Sequence, residues 1–148
     1  MPTPPSATAL KLDAAALNAF LARAFPHGGG SGLPQVIEAE PGRVRVMRPF
    51  DQTSLRPGGV ISGPTMMALA DTAAYALILA HIGEVPMAVT TSLTMHFLRP
   101  AKPGDLIAEG RLLRLGRRIA TCDIHLWTEG PERLAAQATV AYAIPTET

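Results

Sequence analysis

Residues 65–82 form the longest apolar stretch of the chain, and one charged residue, Asp71, interrupts it. The stretch is rich in alanine and is apolar on nearly every side of a helix. A helix without a polar face has to be enclosed by other elements of its fold. The alanines make it only weakly hydrophobic, and together with the carboxylate they argue against a membrane span. We therefore predict a buried central helix that the rest of the chain surrounds.

Signals typical of helix ends flank this stretch. Pro64 suits the first turn, where the N–H that proline lacks would have no partner within the helix. Ser62 or Gly63 can act as the N-cap, and Gly83 is typical of a helix C-terminus. The predicted helix therefore begins directly after a glycine-bearing loop at residues 58–63.

Periodicity predicts one further helix and six strands. The helix covers residues 12–25, with Asp13 as its cap and the glycine run at residues 28–32 beyond its end. Strands are expected at residues 35–39, 43–48, 88–98, 105–115, 118–128 and 134–144. Because their connections are short, we expect antiparallel pairing. The prediction is one α+β domain over residues 1–148, a curved antiparallel sheet around the central helix, with residues 1–8 loose.

Composition excludes several classes of protein. The 148 residues suffice for one domain, and 47% of them are hydrophobic, which rules out wholesale disorder. A formal net charge of +1 argues against a nucleic-acid interface and against a polybasic membrane anchor. The single cysteine, Cys122, excludes a disulfide framework and a multi-cysteine zinc site, and it fits a reducing compartment. We see no secretion signal, and together with the lone cysteine this predicts a cytoplasmic protein. The histidines show no metal-ligand spacing, so we predict no bound metal.

Asp71 needs a chemical explanation, because a carboxylate in an apolar helix must be paired, desolvated or reactive. One interpretation is structural, with a hydrogen bond to a nearby hydroxyl such as that of Thr72, Tyr75 or Thr91. The other is catalytic, with a general base or nucleophile whose apolar surroundings raise its basicity. The residue pattern alone leaves both interpretations open.

The loop before the central helix suggests where a developing negative charge could bind. Glycines such as Gly59 allow a backbone to approach a ligand closely. A helix N-terminus offers free N–H groups and the positive end of the helix dipole. Since Pro64 has no N–H, the useful donor is Gly63 or a residue beyond Pro64. A plain junction between loop and helix is the alternative.

Residues 58–145 resemble the hotdog-fold acyl-CoA thioesterases of the phenylacetate-degradation (PaaI-type) family. The matching pieces are the glycine-bearing loop, ALAD in the helix, FLRPAKPGD after a strand and LGRR before the next strand. The resemblance implies a hotdog fold and hydrolysis of an acyl-CoA thioester. It assigns Asp71 as base or nucleophile, the Gly63 N–H to the oxyanion, and Thr90 to positioning water or the carboxylate.

The resemblance also implies partners. CoA would arrive as part of the substrate, and no separate cofactor would be needed. Two subunits would join their sheets in a homodimer with sites at the interface, and dimers could pair into tetramers. Arg117 and Arg118 would help to hold the CoA phosphates, since guanidinium groups suit phosphate. Ordinary polar turns are the alternative for these two arginines.

The sequence departs from the family in the loop. Ser62-Gly63-Pro64 stands where the family usually has His-Gly-Gly, so Ser62 replaces the histidine that would orient the thioester carbonyl. The Ser62 hydroxyl can bind a carbonyl, but we favour a simple N-cap. A polar Asn or Gln of the family loop corresponds to Arg56, or its role passes to Gln52.

The missing histidine keeps other functions open. The first alternative is a hotdog protein that binds acyl-CoA or another hydrophobic ligand with little or no turnover. A hydratase on the same fold ranks lower, because it typically needs an Asp/His pair. His81, ten positions from Asp71, is the only histidine on the predicted helix.

Overall fold

The computed structural model describes residues 9–26 and 33–146. The predictions for residues 1–8 and for the glycine run at residues 28–32 lie outside these residues. In chain order the elements are α1 (Ala14–Ala24), β1 (Gln35–Glu40), β2 (Arg43–Arg48), β3 (Leu55–Arg56), β4 (Val60–Ile61), α2 (Gly63–Ile82), β5 (Val89–Phe97), β6 (Leu106–Leu115), β7 (Ile119–Trp127) and β8 (Ala136–Ala143). The predicted order of helices and strands is confirmed. The loop before α2 also contains β3 and β4, which are too short to show an alternating pattern.

Six of the strands form one antiparallel sheet in the order β1-β2-β6-β7-β8-β5. Helix α2 packs against all six of them, so the sheet surrounds it as predicted. The inward faces of the strands supply buried apolar side chains that alternate with polar ones, as a half-buried sheet requires. Three register shifts, in β1, β5 and β6, interrupt the ladders, and such bulges bend the strands that contain them.

The ends of α2 follow the predicted signals. The Ser62 hydroxyl accepts a hydrogen bond from the Thr65 N–H at 3.3 Å, and Pro64 lies in the first turn. Gly83 ends the helix with φ 94°, a backbone conformation that other residues rarely adopt. The N-cap function favoured for Ser62 is therefore confirmed.

The two halves of α2 differ in how they are covered. From Ala73 to His81 every residue is buried, whereas Pro64, Met67 and Ala68 in the first half are exposed. Complete enclosure is therefore a correct prediction only for the second half. The reason is that α1 and the segment before it lie across the far end, where the N–H groups of Lys11 and Leu12 donate to Ala80 O.

Helix α1 also covers one edge of the sheet. Asp13 caps it through a 2.9 Å hydrogen bond from the Ala16 N–H. The Asn18 side chain donates to the main-chain oxygen of Val36 and accepts from its N–H, at 2.9 and 2.8 Å. These bonds satisfy backbone groups that edge strand β1 would otherwise leave open. At the opposite edge β5 has most of its residues exposed.

By length and composition α2 could cross a membrane, with a mean hydropathy of 1.4. Two thirds of its most apolar window, 67%, is nevertheless buried inside the fold. The core helix of a soluble domain has these properties, because the sheet takes the place that lipid would have. The helix is therefore the core of the domain, as the sequence predicts.

Candidate active site

The side chain of Asp71 is held through one of its two oxygens. Its Oδ1 accepts hydrogen bonds from Thr90 Oγ1 at 2.6 Å and from the Tyr142 hydroxyl at 2.7 Å. The Tyr142 hydroxyl also lies 3.2 Å from the main-chain oxygen of Asp71. No hydrogen bond reaches Oδ2 from the residues that the structure describes. The carboxylate is thus anchored and partly buried, and one of its oxygens accepts nothing from the part of the chain that the structure describes.

The sheet brings the two hydroxyls together. Thr90 and Tyr142 are partners across β5 and β8, next to the bulge between Thr90 and Ser92. Tyr142 is 3% exposed and its ring packs against the ring of Tyr75, with centroids 5.9 Å apart. Strand pairing therefore places two hydroxyl donors side by side against the first half of α2.

Sequence reasoning missed Tyr142. The alternating pattern of β8 predicts that this side chain faces inward, and a buried tyrosine hydroxyl usually finds a partner. That partner lies 71 positions away along the chain, so no local pattern identifies it. The sequence offers only two separate signals, an inward-facing tyrosine on β8 and a lone carboxylate in an apolar helix.

The hydroxyls proposed for a structural role bind elsewhere. Thr72 donates to Ala68 O, Tyr75 to Pro86 O and Thr91 to Ala141 O. The structural interpretation of Asp71 is therefore wrong in its partners, although the carboxylate does have two hydroxyl donors.

Burial keeps both tyrosines of the site protonated. It is the main cause that raises the pKa of Tyr142 far above its ordinary value, and the adjacent carboxylate of Asp71 raises it further. Burial also raises the pKa of Tyr75. Both phenols therefore remain neutral hydrogen-bond donors near pH 7.

A cavity of about 460 Å³ opens beside Asp71. Asp71, Thr90 and Tyr142 line its polar side, and Asp71 is the only charged residue among the described residues that line it. The remaining wall is mostly apolar and is formed by Leu21, Phe25, Leu33, Pro34, Tyr75, Pro86, Ala88 and Val89, with Thr72 beside Asp71. We call this cavity the apolar chamber. Its volume lies in the range of small-molecule sites.

Gly63 occupies the first position of α2. Its N–H donates to no acceptor among the described residues, as is usual for the first amides of a helix. A Cβ atom built at Gly63 would lie 3.3 Å from Phe97 Cζ, so the ring of Phe97 covers one side of this residue. The free amide therefore sits beside an apolar ring that is itself half exposed.

Gly63 and Asp71 are not brought together within one chain. They lie eight residues apart on the same helix, which at the usual rise per residue separates them by roughly 12 Å. An oxyanion donor and a catalytic carboxylate must both reach one carbonyl group. A single copy of the chain therefore holds the two groups at separate places.

The other predicted loop residues lie at the Gly63 end of α2. Gln52 is in a short 3-10 turn and Arg56 is in β3, where its Nε donates to Pro57 O at 3.0 Å. The Gly59 N–H donates to Arg56 O and closes the turn between β3 and β4. Arg56 and Gln52 are both exposed, so they are available to a ligand at this end but not next to Asp71 of the same chain.

Arg117 and Arg118 lie at the Asp71 end of the sheet, in the turn between β6 and β7. With Pro145 and Thr146 they line a surface hollow of about 380 Å³. Ala120 pairs with Tyr142, so Arg118 lies two residues, or roughly 7 Å, beyond the level of the site. Neither guanidinium forms an ion pair within the described part of the chain.

Other reactive side chains are engaged in packing. Burial raises the pKa of the Cys122 thiol to about 12, so it is an inert core residue. His81 is buried away from Asp71, with Nε2 accepting from the Gly42 N–H and Nδ1 beside Leu77 O. The described residues contain no group of three or more His, Cys, Asp or Glu side chains that could hold a metal.

Comparison with known protein families matches residues 58–135 to the Thioesterase superfamily. The chain belongs to this superfamily. A candidate esterase from Saccharolobus solfataricus is 30% identical over 110 residues, which cover 74% of this chain and 71% of the relative. These matches support a hydrolase that acts on acyl thioesters.

Solved structures of superfamily members agree with the fold. A candidate thioesterase from a Silicibacter species is 39% identical, with a TM-score of 0.85 over 95% of this chain and 96% of that one. A mutant of the phenylacetic acid degradation protein PaaI from Thermus thermophilus is 27% identical, with a TM-score of 0.66 over 76% and 93%. The predicted hotdog fold and the family resemblance are both confirmed.

Proposed function

We propose that this thioesterase-superfamily protein hydrolyses an acyl-CoA thioester and that Asp71 carries out the chemistry. The observation that supports this most is the state of the Asp71 carboxylate. Two hydroxyl donors anchor it through Oδ1, none of the described residues donates to Oδ2, and it borders a chamber large enough for an acyl group. A purely structural role for this carboxylate would not explain why it borders a cavity.

Two routes are open to Asp71. As a general base, Oδ2 takes a proton from water while the water oxygen attacks the thioester carbonyl carbon. As a nucleophile, Oδ2 attacks that carbon and forms a mixed anhydride, which water then hydrolyses. In both routes the C–S bond breaks, and CoA leaves as a thiolate that takes up a proton. Thr90 holds the carboxylate in either case.

The oxyanion donor in this proposal is the Gly63 N–H of a second copy of the chain. Within one copy Gly63 and Asp71 are roughly 12 Å apart, about two helical turns. If two copies pair their α2 helices antiparallel about a two-fold axis near the middle of this segment, each Gly63 lies near the other copy's Asp71. The exposed surface favours such pairing, because Met67 on α2 and Val89 and Phe97 on β5 leave an apolar face uncovered. We propose a homodimer, which could pair further into a tetramer.

Different parts of acyl-CoA fit different parts of the surface. The apolar chamber suits an uncharged acyl group, because Asp71 is the only charged side chain among the described residues that line it. Arg117 and Arg118 suit the phosphates of CoA at the same end of the sheet. We also infer a cytoplasmic location, which fits the single, buried and unpaired Cys122.

A second candidate function is ligand binding without turnover. It is favoured by Ser62, whose hydroxyl is engaged by Thr65 N and Thr65 Oγ1, the latter at 2.7 Å, and so does not replace the family's histidine. In that case acyl-CoA would bind at the same chamber and leave unchanged.

Thiol release from a panel of short, medium, long and aryl acyl-CoAs distinguishes the two functions. A thiol-reactive dye is suitable, because the protein's only cysteine is buried. We expect wild type to release CoA and Asp71→Asn to lower kcat by about 10²-fold or more while substrate still binds. If acyl-CoAs bind saturably and none of them releases thiol, the protein binds its ligand without turnover. Full activity of Asp71→Asn would exclude Asp71 from the chemistry.

A further inference from the structure

We infer that Tyr142 is a positioning residue that, together with Thr90, holds Asp71 by Oδ1 and leaves Oδ2 as the oxygen that reacts. The inference rests on the proposed function and adds a residue on β8 to the site. It follows from the asymmetry of the carboxylate, in which Oδ1 accepts two short hydrogen bonds and Oδ2 accepts none from the described residues.

Two donors on one oxygen have a chemical consequence. Hydrogen bonds to a charged acceptor are shorter and stronger than neutral ones, and each withdraws electron density from the oxygen that accepts it. The anchored Oδ1 is then the poorer base and nucleophile of the two. The same bonds restrict rotation of the side chain, so Oδ2 keeps a defined direction towards its reaction partner.

Tyr142 is itself rigidly held, which a positioning residue requires. Its ring packs at 34° to the ring of Tyr75, and the Tyr75 hydroxyl donates to Pro86 O at 3.1 Å. Its main chain belongs to the β5–β8 ladder, directly opposite Thr90. With 3% of its surface exposed, the residue as a whole is buried.

The hydroxyl of Tyr142 acts on Asp71 and not on the substrate. Its only proton lies between Oδ1 and the main-chain oxygen of Asp71, at 2.7 and 3.2 Å. Because burial raises its pKa, it remains a neutral donor over the working pH range. A substrate carbonyl would have to displace Asp71 to receive this proton, so Tyr142 works through the carboxylate.

The test uses Tyr142→Phe, which removes the hydroxyl and keeps the ring on Tyr75. We expect kcat to fall on the order of tenfold, the scale of one hydrogen bond to a charged group, while KM stays close to wild type. Thr90→Val should behave similarly. The double variant should lose more than the product of the two single losses, because Asp71 then has no donor on Oδ1. Thr91→Val is the matched control, since the Thr91 hydroxyl donates to Ala141 O and should leave kcat unchanged.

The decisive arm repeats Tyr142→Phe in Asp71→Asn protein. A residue that acts through the Asp71 carboxylate should not change the residual kcat of this variant, whereas a merely structural tyrosine would lower kcat by the same factor in both proteins. Wild-type kcat in Tyr142→Phe, simple multiplication of losses in the double variant, or equal loss in both backgrounds would overturn the inference. These results leave the proposed function standing, which instead fails if wild type releases no thiol or if Asp71→Asn is fully active.

Discussion

The ring of Phe97 lies against the first residue of α2, 3.3 Å from the point where a side chain at Gly63 would begin. The ring forms an apolar surface next to the Gly63 amide, which donates to no acceptor among the described residues. A Cβ atom at Gly63 would fit if Phe97 moved slightly. Since Phe97 is 51% exposed, that movement is available to it. A small side chain can therefore be added at Gly63, and the role of its N–H can be tested separately from its lack of a side chain.

Gly63→Pro removes the N–H, and Gly63→Ala adds a side chain while keeping the N–H. Ser62 already has the extended conformation that a residue before proline adopts, with φ −70° and ψ 151°, and proline is tolerated at the first position of a helix. We expect Gly63→Pro to lower kcat by about 10²–10³-fold, the usual cost of losing an oxyanion donor. Gly63→Ala should lose far less, and equal losses in steady-state assays of the two folded variants would contradict a role for the amide.

Mixing two inactive variants tests whether the site is shared between copies. If Asp71 of one copy works with Gly63 of the other, a hybrid of Asp71→Asn and Gly63→Pro contains one intact site. After subunit exchange of equal amounts we expect recovery of about one quarter of wild-type activity, because half of the dimers are hybrids with one working site. No recovery, or a strictly monomeric species in light scattering at micromolar concentration, would show that the site belongs to one chain.

The apolar chamber should set the preference for acyl groups. Phe25 packs edge-on to Tyr75, with centroids 5.9 Å apart, yet is half exposed, so Phe25→Ala should enlarge the chamber without unfolding the protein. We expect the ratio of kcat/KM for long over short acyl-CoAs to rise by about tenfold or more. Leu113→Ala, which removes an exposed side chain that does not line the chamber, is the control. An unchanged ratio in Phe25→Ala would place the acyl group elsewhere.

Arg117 and Arg118 should affect the nucleotide part of the substrate. In the double variant Arg117→Ala, Arg118→Ala we expect KM for acyl-CoA to rise by roughly tenfold and to depend less on salt. A truncated thioester without the nucleotide should be affected much less. Arg133→Ala removes an exposed arginine from the turn between β7 and β8 and serves as the control for lost charge. Equal losses with both substrates would mean that the pair stabilises the fold.

Glu109 should make stability depend on pH. Burial alone would raise its pKa, but hydrogen bonds from Arg45 and Arg43 and the charge of Arg111 outweigh burial and hold the pKa below its usual value. In the unfolded protein the pKa of a glutamate is about 4.3. Because the pKa of Glu109 is lower in the folded protein, its ionised form stabilises the fold above the unfolded-state pKa. That stability is lost as pH falls through the folded-state pKa.

Glu109→Gln should therefore lower the free energy of unfolding by about 1–3 kcal/mol at pH 7, since Glu109 is 8% exposed. Urea denaturation should show this difference shrinking from about pH 5 downward. Glu84→Gln, which breaks an exposed ion pair with Arg23, should change stability by less than about 0.5 kcal/mol. A difference for Glu109→Gln that does not vary with pH would contradict the ionic contribution.

Much of the architecture could be predicted, because its signals are local. The cap at Ser62, the end at Gly83 and the alternation along β7 and β8 each depend on residues only a few positions apart. The partial exposure of the first half of α2 could not be predicted in this way. It depends on where α1 lies across the helix, and no property of residues 63–72 themselves determines that.

The sequence by itself determined that Asp71 is a lone carboxylate on an apolar helix and that this helix begins at Ser62-Gly63-Pro64, because periodicity and capping act between near neighbours. Only the tertiary structure decided what these residues can do. Strand pairing brings Thr90 and Tyr142 to one oxygen of Asp71, although Tyr142 lies 71 positions away. The rigid rise of the helix keeps Gly63 apart from Asp71, so the site proposed here needs these two residues from different copies of the chain. Hydrogen-bond partners and distances across a fold depend on how elements far apart in the sequence pack together. No short stretch of sequence contains this information.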